Sequence, residues 1–209
     1  VSWVLPSRGR PQNLKRLIDA WHSTEAQTTV RLRLDDDDPT LEQGLSLPLP
    51  DTWVREVGPR VPLSEIYNSA FRKQPGRDWW GFIGDDCLPH ERHWDITLIG
   101  IAVFKPVGMV VPAGGHNPHV TPHFVLNGDL PRRTGWLALP GLDRLYIDTV
   151  WRDIALADNN LHRVDSVTLE HLHFSNGKAL YDKVYQKPHK KRDRKIYEQW
   201  RRNASSSSN

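Results

Sequence analysis

Cysteine is nearly missing from this chain: Cys87 is the only one among 209 residues. No internal disulfide can form, so packing alone must hold the fold, and a reducing compartment, the cytoplasm, is the expected location. Nothing beside Cys87 in sequence marks a lowered thiol pKa, so it reads as a buried filler rather than a nucleophile or ligand. Long apolar runs are missing too. None approaches the roughly 18 residues that a membrane span needs. The first residues lead directly into a strand and a polar loop, without the pattern of a secretory signal. There are no internal repeats. Nor does one sign of charge dominate: 28 Lys and Arg stand against 25 Asp and Glu, a net charge of +3. With charged residues at 25% and hydrophobic ones at 38%, disorder is excluded and one soluble domain with a sizeable core is expected.

The charge imbalance that exists lies at one end. Lys187-Pro188-His189-Lys190-Lys191-Arg192-Asp193-Arg194-Lys195 and Arg201-Arg202 are densely basic. Such a segment suits an anionic partner, nucleic acid or an acidic membrane surface, or else is a solvated terminal helix. The chain then divides into a domain over residues 1–185, a basic helical tail over 186–203 and a Ser-rich end, 204–209, expected to be disordered.

What the chain has instead is a tryptophan-rich centre. Trp79-Trp80-Gly81-Phe82-Ile83 reads as a buried strand that stops at Gly84-Asp85-Asp86. Carboxylates at a strand's carboxyl end sit where open α/β sheets bind ligands. They are hard ligands, suited to Mg²⁺ or Mn²⁺ holding a diphosphate. An acidic turn is the plainer alternative.

Around it, strand and helix signals alternate. Ser2 to Leu5 reads as a first strand, followed by the polar turn Pro6-Ser7-Arg8-Gly9-Arg10-Pro11. Leu14, Leu17, Ile18 and Trp21 form the stripe of an amphipathic helix that Pro11 can start. Arg8, Arg10 and the backbone N–H groups would favour an anion there. A second strand, Val30 to Leu34, runs into Asp35-Asp36-Asp37-Asp38, whose charges must be solvated, paired or cation-bound. Residues 40–52 read as a connection, Trp53 to Val57 as a third strand, and Pro62 and Ser64 as the start of a second helix. A helix from about His90 to Phe104 and a buried strand from Val107 to Pro112 follow. The stretch from Ala113 to His123 holds His116, His119 and His123. Its prolines prevent the helix that would space them for zinc, so a mobile lid or acceptor loop is expected. Phe124 to Leu126 suggests a short strand, and Arg132-Arg133 a loop. Asp148 is a plausible N-cap for a helix with Val150, Trp151, Ile154 and Ala155 on one face. A late strand, Val164 to Thr168, leads to His171 and His173, which share a face if the chain stays extended.

The order of the Pro6–Pro11 turn, the Asp35–Asp38 run, Phe82-Ile83-Gly84-Asp85-Asp86, Asp148-Thr149-Val150-Trp151 and Glu170-His171-Leu172-His173 resembles nucleotide-sugar glycosyltransferases of the GT-A fold, small phage and bacterial ones in particular. The resemblance covers about residues 1–185. It implies an α/β, Rossmann-like domain with a mixed, mostly parallel central sheet flanked by helices, ending in the basic helical tail. It implies a nucleotide-sugar donor, a UDP-sugar, and a divalent cation, Mn²⁺ or Mg²⁺. Pro6, Ser7, Arg8, Arg10, Asp35, Asp36, Asp37 and Asp85 would border the donor nucleotide. Asp86 would be the direct metal ligand, joined by His171 or His173. Gly84 stands where the family's metal motif often has its first aspartate. Asp148 sits where inverting members place the base that activates the acceptor. His116, His119, Arg132, Arg133 and Trp151 would meet the acceptor.

The acceptor stays open at this stage. The basic tail allows double-stranded DNA, and the resemblance to small phage enzymes implies DNA bearing a hydroxymethylated pyrimidine, in a host cytoplasm if the chain is of phage origin. A polysaccharide, lipid or protein acceptor is the alternative. Two other classes compete: a non-catalytic nucleic-acid-binding module, and a nucleotidyltransferase, which also uses paired carboxylates. Carboxylates at strand ends argue against the first. The arginine-rich first loop and the late histidines argue against the second.

Overall fold

A computed structural model describes residues 1–104, 108–115, 121–181 and 190–206. The chain begins with a strand, β1 (Ser2–Ser7), then α1 (Pro11–Ser23), β2 (Thr29–Asp35), a short α2 (Leu41–Leu45), β3 (Trp53–Gly58) and α3 (Leu63–Lys73). The tryptophan-rich strand is β4 (Trp79–Phe82), followed by β5 (Cys87–Pro89), α4 (Trp94–Val103), β6 (Met109–Ala113) and β7 (Phe124–Asn127). Two helices, α5 (Asp129–Thr134) and α6 (Ile147–Ala157), precede the long β8 (Leu161–His171), and α7 (Lys190–Ser206) follows.

The strands form one sheet in the order β3-β2-β1-β4-β7-β6-β8-β5. β1 pairs in parallel with β2 and β4, and β2 with β3. β7 runs antiparallel to both β4 and β6, β6 is parallel to β8, and β5 is antiparallel to β8. A central strand buried on both faces should be apolar throughout rather than alternating. β1 obeys this: Trp3, Val4 and Leu5 are all buried. Side chains then part by pleat. Trp3 and Leu5 join Leu14, Leu17, Trp21 and Trp94 in a core under α1 and α4. Val4 joins Phe82, Tyr67, Phe124 and Trp151 in a second core under α3 and α6.

The first three strands step outward from β1 in one direction, and β4 then returns to its other side. That reversal opens a crevice at the carboxyl ends of β1 and β4, where such sheets bind ligands. The pairing Phe82 with Phe124 brings the start of β7 to the same edge. Cys87 pairs with His171, so the end of β8 arrives there as well.

Several local expectations change. The helix expected from His90 begins only at Trp94. Cys87–Pro89 is held as a strand by β8, and the Glu91 carboxylate accepts the Thr168 N–H at 2.7 Å, which keeps the intervening residues in a turn. Residues 40–52 contain α2, and Arg132-Arg133 lies in α5 rather than a loop. The late strand is longer than Val164 to Thr168 because it pairs with both β6 and β5. α7 reaches Ser206, into the Ser-rich end. No helix among the described residues is long and apolar enough to cross a membrane.

Candidate active site

The crevice is built from the Asp85–Asp86 pair outward. Asp85 is buried, and its carboxylate accepts a hydrogen bond from Ser7 Oγ at 2.6 Å. Arg10, itself buried, reaches Asp85 at 3.7 Å and Asp86 at 3.4 Å. Burial and the neighbouring Asp86 charge push the Asp85 carboxyl up to about 7. Asp86 moves the other way. Burial opposes its charge, but the His171 hydrogen bond and charge, with Arg10, hold it well below the usual carboxylate range. The chain therefore keeps one strong anion here and a second carboxyl that favours its anion only when more positive charge arrives.

Gly84 explains its own identity. A Cβ there would stand 2.5 Å from Asp86 Oδ1, closer than side-chain atoms approach. The residue that stands where the motif often has its first aspartate is what lets the Asp86 carboxylate fold back under it.

Asp86, His123 and His171 offer ligand atoms that all lie within 4.8 Å of one another. His171 Nε2 is 3.5 Å from Asp86 Oδ2. His123 is 4% exposed, and neither of its ring nitrogens has a hydrogen-bond partner among the described residues. Burial first, then the His171 charge, lowers its pKa to about 3, so the ring is neutral. A buried imidazole with two orphan nitrogens costs free energy unless something binds it. Octahedral ligands at about 2.1 Å from a cation lie no more than about 4.2 Å apart, so a modest closing of side chains brings the three onto one ion. The residues present therefore fit a divalent cation.

The remaining site residues sort as follows. Arg8 pairs with Asp35 at 3.1 Å and also with the Asp37 carboxylate, joining the ends of β1 and β2. Asp38 is structural: Gly9, at φ +71°, turns its N–H onto the Asp38 carboxylate at 2.7 Å, and Thr40 N donates to the same group at 2.9 Å. Asp36 is exposed, and Pro6 is half-buried at the end of β1. His173 stays beside His171, with ring centroids 5.0 Å apart, but is not among the three residues whose ligand atoms cluster. Its backbone leaves the strand, and its ring accepts the Ser175 N–H at 3.2 Å at the head of a single 3-10 turn, Phe174–Asn176. Asp148 is not the N-cap of α6; Tyr146 is, and Asp148 lies in the first turn. Its carboxylate accepts the Thr121 N–H at 3.4 Å, two residues from His123, and its charge joins burial in raising the Tyr67 hydroxyl pKa.

Three acceptor expectations do not survive. Trp151 is fully buried and donates its indole N–H to the Leu137 carbonyl at 2.8 Å, so it is core. Arg132 donates to the carbonyls of Pro75 and Arg77, just before β4, at the end of that strand opposite Asp85. Arg133 pairs with Asp158 at the surface. His116 and His119 lie outside the described residues. His123, which the sequence groups with them, reaches the site. Its position directly before the apolar Phe124-Val125-Leu126 was the available signal. Arg144, whose charge stabilises the Asp85 anion, was passed over. A separate cavity of about 200 Å³ opens between β2, β3 and α3, lined by Arg31, Arg33, Glu56 and Ile66 among others, and none of Asp85, Asp86, His123 and His171 borders it.

No protein-family model matches the chain, and no curated protein does. Solved structures do. A mannosyltransferase from Pyrobaculum calidifontis, solved with GDP-mannose and Mn²⁺, superposes with a TM-score of 0.64 at 12% identity, covering 82% of this chain and 56% of that one. Glucosyl-3-phosphoglycerate synthase from Mycobacterium tuberculosis, solved with Mn²⁺, UDP and phosphoglyceric acid, gives 0.60 at 12% identity over 82% and 70% of the two chains. A Bacillus anthracis protein assigned as a glucose-1-phosphate thymidylyltransferase gives 0.53 at 10% identity over 88% and 98%. The chain thus spans less than two thirds of the mannosyltransferase. At these identities the likeness is one of fold: an α/β domain with the GT-A sheet of nucleotide-diphospho-sugar transferases.

Proposed function

We propose that the protein is a metal-dependent glycosyltransferase that moves a sugar from a nucleotide-sugar donor to a hydroxyl acceptor. One observation carries the reading. The neutral, orphaned His123 stands with His171 and Asp86 at the crevice between β1 and β4, on a sheet of GT-A type. A divalent cation held by Asp86, His123 and His171 would offset the charge that a departing nucleoside diphosphate develops. Two imidazoles beside one carboxylate suit Mn²⁺ better than Mg²⁺, which prefers oxygen ligands.

The chain's own residues supply the rest. The Arg8–Asp35 pair and Ser7 border the nucleoside, with Asp35 free to accept from ribose or base on its other lone pairs. Arg10 and Arg144 bring positive charge beside Asp85, where the phosphates would lie. Asp148 takes the proton of the acceptor hydroxyl, a role that needs a carboxylate within hydrogen-bond reach of a group with a high pKa. A UDP-sugar is the donor favoured by the resemblance of the motifs.

For the acceptor, one observation favours DNA, and the resemblance to phage enzymes adds the hydroxymethylated pyrimidine. α7 turns Asp193, Ile196, Tyr197 and Trp200 inward and leaves Lys190, Lys191, Arg192, Arg194, Lys195, Arg201 and Arg202 exposed, a cationic face suited to phosphates.

A thermal-shift series with UDP- and GDP-sugars, with and without Mn²⁺, tests the donor reading. A donor at a hundredfold excess over Kd adds about 2.7 kcal/mol of apparent stability. His123→Ala should abolish the Mn²⁺-dependent part of the shift while the protein stays folded. Equal shifts with and without metal would remove the metal from the proposal. Incubation with plain or hydroxymethylated duplex, followed by weighing the nucleosides, tests the acceptor. Transfer to glycans or proteins and never to the modified duplex would discard DNA.

A further inference from the structure

α7 is more than a charged tail. Asp193 is 0% exposed, although it lies among five basic neighbours in sequence. Its two carboxylate oxygens accept three consecutive backbone N–H groups, from Asp143 at 2.9 Å, Arg144 at 2.9 Å and Leu145 at 2.8 Å. Three charge-assisted bonds to a buried anion fix the path of that turn. The turn is anchored on its other side as well, because the Asp143 carbonyl accepts the Leu63 N–H at 2.8 Å where α3 begins. Around this anchor, the Tyr197 ring stacks on Tyr146 at 4.9 Å, and the Tyr197 hydroxyl donates to Asp153 of α6 at 2.5 Å.

The turn so held connects directly to the site. Arg144 sends its charge toward Asp85. Tyr146, in the left-handed region at φ +69°, starts α6, and Asp148 follows two residues later. A carboxylate that merely joined α7 to the body could have used any exposed cation. This one grips three residues just before α6, the first of which also holds the start of α3.

We propose that Asp193 is a positioning residue. From the C-terminal helix it holds the Asp143–Leu145 turn, and through it the start of α6 with Asp148, in register with the Asp85–Asp86 centre. This rests on the glycosyltransferase reading for its effect on rate, though not for its effect on the turn. A displacement of about 1 Å in a reacting group can cost roughly a hundredfold in rate.

The test uses the full chain and four proteins: wild type, Asp193→Asn, Asp148→Asn and the double variant. Asn keeps the size of Asp193 but offers one good acceptor in place of two, so the fold should persist. Amide hydrogen exchange at Asp143, Arg144 and Leu145 should rise roughly tenfold or more in Asp193→Asn, with β1 and β4 still protected. Transfer kcat should fall roughly tenfold, with the Mn²⁺ and nucleoside diphosphate Kd changed by less than about threefold. The double variant should be no slower than Asp148→Asn alone, because a residue acting through Asp148 has nothing left to position. Rate losses that multiply in the double variant would overturn positioning through Asp148. Unchanged exchange at the three amides would overturn the hold itself. If wild type shows no turnover of any nucleotide sugar, the glycosyltransferase reading fails, and the exchange result still decides whether Asp193 fixes the turn. Should Asp193→Asn not fold, Tyr197→Phe, which removes only the hydroxyl contact to Asp153, replaces it with the same readouts at α6.

Discussion

At the scale of single residues, identity is set by what each atom meets. Gly84 is required because Asp86 occupies the space a side chain would need. Gly84→Ala should therefore push the carboxylate aside and weaken Mn²⁺ binding by roughly tenfold, as changes beside a ligand commonly do. Melting in EDTA should hardly change. A titration of Mn²⁺ followed by calorimetry reads the difference, and unaltered affinity would mean that Asp86 is not the ligand. Trp151 makes the opposite case. Its indole N–H satisfies the buried Leu137 carbonyl. Trp151→Phe should cost about 1–3 kcal/mol of stability through that orphaned acceptor. The KM for acceptor should stay where it was; a raised KM with normal stability would return Trp151 to the acceptor surface.

At the scale of elements, the helix starts decide where chemistry can stand. α6 begins at a left-handed Tyr146, so Asp148 is free of capping duty and its carboxylate lies in the first turn. A carboxylate there gains only about 0.3–1 kcal/mol from the helix dipole. Asp148→Asn should thus lose less than about 1 kcal/mol in stability while transfer falls by roughly 10²-fold. Rates near wild type in a discontinuous transfer assay would reduce Asp148 to a helix-terminal charge. α4 depends on a similar device. Asp95, 0% exposed, accepts the N–H groups of Gln27 and Thr28, both at 2.7 Å, and so fixes the entry to β2. The amphipathic stripes of α1 and α3 were readable from spacing alone, because helical periodicity reports a buried face whatever it packs on. The short elements α2, β5 and α5 were not, because three to six residues carry no period and are held by partners distant in sequence.

At the scale of the whole molecule, charge separates by function. The crevice gathers carboxylates with buried or paired arginines, whereas α7 displays its cations to solvent. Each phosphate neutralised on a duplex contributes about 0.9 to the slope of log K against log salt. Replacing Lys190, Lys191 and Arg192 together by Gln should flatten that slope by roughly 2–3 for hydroxymethylated duplex. Transfer to a small soluble hydroxyl acceptor should be unaffected. An unchanged slope would exclude this face from the DNA contact and leave the donor site untouched by the result.

The sequence by itself determined the alternation of strands and helices, the burial of β1 and β4, and the placement of Asp35, Asp85 and Asp86 at strand ends. These follow from local periodicity and from where a hydrophobic run stops, which need no knowledge of distant partners. The motifs already pointed to Asp86 and His171, but that His123 stands with them was decided only by tertiary structure. His123 directly precedes β7 and His171 ends β8, with α5 and α6 between them, and they meet because β7 pairs with β4 while β5 pairs with β8. Sequence spacing brings His171 and His173 together, and their rings do lie 5.0 Å apart, but a 3-10 turn after β8 commits one His173 nitrogen to the Ser175 N–H. Asp193 was hidden for the same reason. Within a run of lysines and arginines it reads as a surface charge, and only the packing of α7 on the turn before α6 makes it a buried ligand for three amides. A side chain's neighbours in a folded chain are chosen by strand pairing and helix docking, and these are settled by the burial of whole faces rather than by any residue's own sequence context.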